Sequence, residues 1–228
     1  MEPTIYNKPS IYKGAGVYKT GAEGGGGGGG GLQPDEIVIG EQVLGTTQIN
    51  DQIWTTKNFD FVLPGITYNN GETYPIGPHC WYYNRDSSTY GIYGQNRGML
   101  YTYHTQAIIK AYLEEYLPGW RIPTKSDFDK LISFAGGKNN SMPKLCAKRL
   151  WANASSFTDD FNLSLIPTGR RDDDHYDGLA TGFYWTSTKA GMNYITCRVG
   201  EQNETEILTT YTQDEYYDAC AYRFVKDA

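Results

Sequence analysis

Apolar and polar positions change their period twice along this chain. Glu36-Ile37-Val38-Ile39 and Gln48-Ile49-Asn50-Asp51-Gln52-Ile53-Trp54 read as strands. Residues 64–98 hold no period and read as loop, rich in Gly, Asn and Tyr. The spacing then becomes helical. His104 to Leu117 carries Ile108 and Tyr112 on one side and Ile109, Leu113, Tyr116 and Leu117 near another, with Pro118-Gly119 as the stop. A second helix starts at Thr124, where Asp127 three residues on forms a capping box. Phe128, Leu131, Ile132 and Ala135 give it an apolar stripe, and Gly136-Gly137 ends it. A short third helix is predicted from Pro143 to Leu150, with Ser141 near its N-cap. Alternation returns at Phe161–Ile166, Phe183–Ser187, Tyr194–Val199 and Cys220–Val225. Strands, then helices, then strands predict an α+β domain.

Residues 1–35 follow another rule. Ile5-Tyr6-Asn7, Ile11-Tyr12-Lys13 and Val17-Tyr18-Lys19 repeat a β-branched residue, a Tyr and a polar residue every six positions. Such a ribbon builds no core, but evenly spaced tyrosines are good anchors with few torsions to freeze. Gly24 through Gly31 are consecutive glycines, a flexible tether. The reading is three parts: an extended anchoring arm over 1–23, a polyglycine linker over 24–35, and a globular domain over 36–228. Ile5, Tyr6, Ile11, Tyr12, Val17 and Tyr18 are the candidate anchoring residues.

Composition narrows the function. The 228 residues carry a formal net charge of -6, a poor match to nucleic acid, whose phosphates need a basic face. No run of about 18 apolar residues exists to insert in a membrane, and an aromatic share of 14% opposes disorder. The Met-Glu-Pro-Thr start has neither a basic nor an apolar leader, so the sequence as given reads as no exported precursor. Cys80, Cys146, Cys197 and Cys220 have no metal-ligand spacing and read as buried thiols, with a Cys197–Cys220 disulfide as the alternative. His79, His104 and His175 are linked by no HxH or HExxH spacing. Asp172-Asp173-Asp174-His175 with Asp177 is an acidic loop, dense enough for a hard cation but without a calcium-loop spacing. No nucleophile elbow or phosphate loop is present. The expectation is a non-enzymatic protein with no cofactor and no metal.

Six segments stand in order along the chain: Ile49 to Asn58, Gly98-Met99-Leu100-Tyr101-Thr102-Tyr103, Gly119-Trp120-Arg121-Ile122-Pro123-Thr124 with Asp127-Phe128 and Leu131-Ile132, Phe161 to Gly169, Phe183-Tyr184-Trp185-Thr186-Ser187-Thr188, and Tyr222 to Asp227. Together they resemble the Fibrobacter succinogenes major paralogous domain. The likeness covers about residues 36–228. It implies a C-type-lectin-like fold, shared with formylglycine-generating enzymes and with the variable proteins of diversity-generating retroelements. Members often carry Cys near the Gly-Trp-Arg and terminal motifs; here Leu117 and Phe224 stand in those neighbourhoods, so apolar packing replaces any bridge. The calcium ligands of sugar-binding lectins are missing around Trp185-Thr186-Ser187, and Gln33-Pro34-Asp35 matches a sugar-selecting tripeptide only by letters.

In the implied fold the last third of the chain displays one surface. Asn193, Tyr194, Thr196, Arg198, Tyr211, Thr212, Asp214, Tyr216 and Tyr217 are the candidate ligand-binding residues, a palette of rigid rings and small hydrogen bonders. The Asn, Tyr, Thr and Asp of that region are also compatible with retroelement diversification. The functional expectation is a bacteriophage head or tail fibre subunit, assembled in the host cytoplasm and located in the virion. Its partners are other virion proteins through the arm and a host surface protein or glycan through the domain, with homo-oligomers as in other fibres. A bacterial cell-surface protein of the same family, or an enzyme related to formylglycine-generating proteins, is the alternative.

Overall fold

The computed structural model describes residues 17–18, 36–69, 76–82, 97–152, 154–172, 175–177, 180–191, 193–200, 204–210 and 218–228. Three sheets, mostly antiparallel, and a few short helices make a mixed α+β architecture.

The first sheet runs β1 (Val17–Tyr18), β2 (Glu36–Ile39), β3 (Gln42–Ile49), β4 (Gln52–Thr55) and β14 (Val225–Asp227), each pair antiparallel. The Gln48–Trp54 run is not one strand. Asn50 takes φ 55° and turns the chain tightly between β3 and β4, as Asn tolerates better than most residues. β14 pairs Val225 with Trp54, so the end of the domain closes on its beginning. Val17 and Tyr18 pair with Ile37 and Glu36, placing the third arm repeat on the edge of the domain's own sheet rather than away from it.

The second sheet is β10 (Thr181–Ala190), β11 (Asn193–Gly200) and β12 (Glu204–Thr210). The third runs β5 (Thr67–Tyr68), β6 (His79–Tyr82), β7 (Met99–Thr102), β13 (Asp218–Cys220), β8 (Arg170–Asp172) and β9 (His175–Asp177), with only β5 and β6 parallel. The stretch read as loop over 64–98 thus contributes strands, and Trp81 is fully buried in it. Of the acidic 172–177 segment, Asp172 lies in β8 and His175–Asp177 form β9, paired antiparallel, while Asp173 and Asp174 lie outside the described residues.

Helix α1 (Gln106–Tyr116) follows a 3-10 turn at Tyr103–Thr105 and buries Ile109 and Leu113. Tyr116, placed by spacing near that apolar side, is exposed. Helix α2 (Lys125–Phe134) has the expected capping box at Thr124 and Asp127, and Phe128, Leu131, Ile132 and Ala135 are all buried. Helix α3 spans only Met142–Leu145, because Cys146 leaves helical geometry and bridges Leu165. Phe161–Ile166 is no strand: Asn162 and Ser164 adopt φ of 53° and 54°, which breaks an extended run. The last alternating segment splits into β13 and β14 around Ala221–Phe224.

Two large apolar clusters flank β10. One gathers Leu117, Trp120, Tyr101, Trp185, Tyr194, Tyr222 and Phe224; the other gathers Trp54, Phe128, Leu131, Tyr184, Cys197 and Val199. Leu117 and Phe224 share the first cluster. All four cysteines are free thiols and buried, so Cys197 and Cys220 form no bridge.

Candidate functional site

The Gly-Trp-Arg segment begins where α1 ends. Gly119 has φ +89°, a turn that side chains resist, and it lets the Trp120 amide donate back to the Leu117 carbonyl at 3.0 Å. Arg121 then exchanges backbone hydrogen bonds with Val225 at 2.9 and 3.0 Å. Its guanidinium donates to both oxygens of Asp127 and, at 2.7 Å, to Asp227. Asp127 also accepts from the Thr124 amide and hydroxyl, each at 2.7 Å, and from Gln52 Nε2 at 2.9 Å. Burial works against the charged Asp127, but the Thr124 hydrogen bonds and Arg121 outweigh it and hold the carboxyl below its ordinary value. The motif is therefore first a clamp joining α2, β4 and β14.

The aromatic stretch of β10 is fixed just as fully. Trp185 Nε1 donates to the Tyr101 carbonyl at 2.7 Å, and Gln106 Nε2 donates to the Thr186 carbonyl at 2.9 Å. The Ser187 amide donates to the Pro123 carbonyl at 2.8 Å, and the Lys125 amide to Thr188 Oγ1 at 2.9 Å. The β10–β11 register shifts between Trp185 and Lys189, an irregularity that re-aims the strand's outer end.

These two clamps leave a cleft of about 800 Å³ between the start of α1, the Trp120–Ile122 segment and the β10–β11 hairpin. Tyr103 and Tyr194 stack on one side, with Trp185 edge-on to both. Lys189 is exposed, and its ammonium lies 5.0 Å from the Tyr103 centroid and 4.7 Å from that of Tyr194. Trp120 also lines the cleft, 3% exposed, and its Nε1 has no hydrogen-bond partner among the described residues. An unpaired buried donor costs about 1–3 kcal/mol. His104, Lys110 and Glu114 complete the rim, the last two 3.7 Å apart as an exposed i,i+4 pair.

The predicted binding residues divide. Tyr194 is in the cleft wall, although it is only 2% exposed. Thr196 is fully buried, its strand central in its sheet and covered on both faces, so it meets no surface ligand. Asn193 is half-buried at the hairpin end and Arg198 half-buried farther along β11, outside the cleft. Tyr211, Thr212, Asp214, Tyr216 and Tyr217 lie outside the described residues, as do Ile5, Tyr6, Ile11 and Tyr12. Sequence reasoning missed Tyr103, Lys110, Lys189 and the cleft role of Trp120. Trp120 was visible as part of a motif, but only the topology brings β10 beside it.

Residues 47–226 match the family model of the Fibrobacter succinogenes major domain. The chain belongs to that family. No curated protein and no solved structure matches it. The Fibrobacter succinogenes major domain thus includes the whole cleft lining and both clamps apart from Asp227, while β1 and β2 lie before the matched span. Among the described residues no group of His, Cys, Asp and Glu is arranged to hold a metal ion, and no helix is long and apolar enough to cross a membrane.

Proposed function

We propose that this chain is a non-enzymatic fibre or adhesin subunit of a bacteriophage virion, with a ligand-binding C-type-lectin-like head on an N-terminal anchoring arm. The observation that carries the binding role is the cleft. Exposed Lys189 stands over the Tyr103–Tyr194 stack, and the Trp120 donor that lines the same cleft is buried and unpaired among the described residues. The β4–β14 closure, the largely antiparallel sheets and the two principal helices support the lectin-like reading. Burial pushes the Cys80 thiol up to about 12 and Cys146 well above its ordinary value, so neither of these two is a ready nucleophile.

The virion role rests on the Ile/Val-Tyr repeats and the glycine tether. With Val17 and Tyr18 paired to β2, docking on other virion proteins falls to the Ile5-Tyr6 and Ile11-Tyr12 repeats. The partner of the head is a host surface protein or glycan, and the assembled form is a homo-oligomer. Deleting residues 1–23 is expected to remove the protein from particles while the head keeps a cooperative melt. Normal incorporation of the truncated chain would overturn the anchoring role.

A further inference from the structure

We propose that the cleft between Trp120 and Lys189 holds a carboxylate-bearing sugar ring; this rests on reading the head as a ligand-binding module and names its ligand class. Charge points to the carboxylate. The chain is net acidic, yet the cleft is lined by Lys110, Lys189 and Arg121 against one carboxylate, Glu114. Arg121 is neutralised by Asp127 and Asp227, and Lys110 lies near Glu114. Lys189 has no carboxylate partner among the described residues. It is held over two tyrosine rings, where a cation stays positioned and keeps donors for an anion.

The wall points to a ring. Half-buried Tyr103 and exposed Ala107 give the cleft its accessible apolar surface over buried Tyr194 and Leu113, while the buried Trp120 N–H that lines it has no partner among the described residues. A pyranose has C–H faces for the rings and oxygen edges for the donors. Its volume demand suits a cleft of about 800 Å³, within the roughly 300–1,000 Å³ of small-ligand sites. An extended acidic peptide fits less well, because it needs free backbone partners. The amides at this cleft are taken: Trp120 by Leu117, Arg121 by Val225 and Ser187 by Pro123.

The test uses the full chain labelled with ¹⁵N, following indole N–H resonances, with Trp120 assigned through Trp120→Phe. The probes are matched pairs of methyl glycosides, glucuronide against glucoside and galacturonide against galactoside, with an N-acetylneuraminic acid glycoside alongside. The expected result is that an acidic member shifts the Trp120 indole signal and its neutral match does not. Lys189→Ala is expected to weaken that binding at least tenfold, and Lys189→Arg to retain most of it. No shift with any acidic glycoside, or equal binding by the neutral match, overturns the proposal. A shift with a hexaglutamate peptide alone overturns the sugar assignment and leaves the ligand-binding cleft standing. If Lys189→Ala also leaves adhesion of the head to host cells intact while the Tyr216→Ala, Tyr217→Ala double variant abolishes it, this inference fails and the adhesin reading survives.

Discussion

Arg223 and Lys189 are both cations beside tyrosine rings, 6.0 Å from Tyr184 and 4.7 Å from Tyr194 respectively. Arg223 is 1% exposed, and its N–H groups reach Asn58 Oδ1 and the carbonyls of Thr55, Leu163 and Ser164. Lys189 is exposed, with two ring faces and a weak 3.4 Å approach to the Tyr194 hydroxyl. One strand serves both ends. From Thr181 to Thr186 β10 is buried, and from Ser187 to Ala190 it emerges, with the register shift at the change-over. A saturated polar group locks a fold; one left with spare valence is available to a partner.

Variants can break or sharpen this contrast. Arg223→Met should have the largest effect, about 4 kcal/mol or more, since it strands several buried acceptors at once. Urea denaturation measures it, and a loss below about 1 kcal/mol would erase the distinction between the two cations. Asp127→Ala is expected to cost about 1–2 kcal/mol, the scale of a lost helix cap. It also carries a pH signature. The folded Asp127 carboxyl titrates below its unfolded value of about 3.9. Its contribution is therefore fully present above that value and lost as pH falls through the lower, folded one. The stability gap between wild type and Asp127→Ala should close on acidification; a constant gap from pH 7 to pH 2 would show that charge is not its source.

Smaller effects are expected at the cleft. Trp120→Phe should change stability by less than about 1 kcal/mol, and in the stabilising direction if cavity cost is small, because it deletes a donor that had no acceptor. Lys189→Ala should stay within about 0.5 kcal/mol of wild type, as exposed substitutions do. Thermal melts decide both, and a large loss at either position would make the cleft a structural element.

The helices were legible because their signals are local. Thr124 with Asp127 and the stop at Pro118-Gly119 act within one turn of chain. Phe161–Ile166 misled because alternation cannot report the left-handed Asn162 and Ser164. Thr196 misled for a different reason. Period-two patterning assigns a strand two faces, but whether the second face meets water depends on what packs over it. The cleft combines residues 103–114, 120–122 and 187–194, whose proximity is set by long-range hydrogen bonds such as Gln106 to Thr186. No local signal contains that.

The buried sulfurs have a practical corollary. Since Cys80, Cys146, Cys197 and Cys220 are all shielded, a thiol-specific dye meets the folded head slowly, and its uptake clocks how often each region opens. The same silence provides a clean background: one cysteine added on the surface becomes a unique attachment point for a fluorophore or a cross-linker.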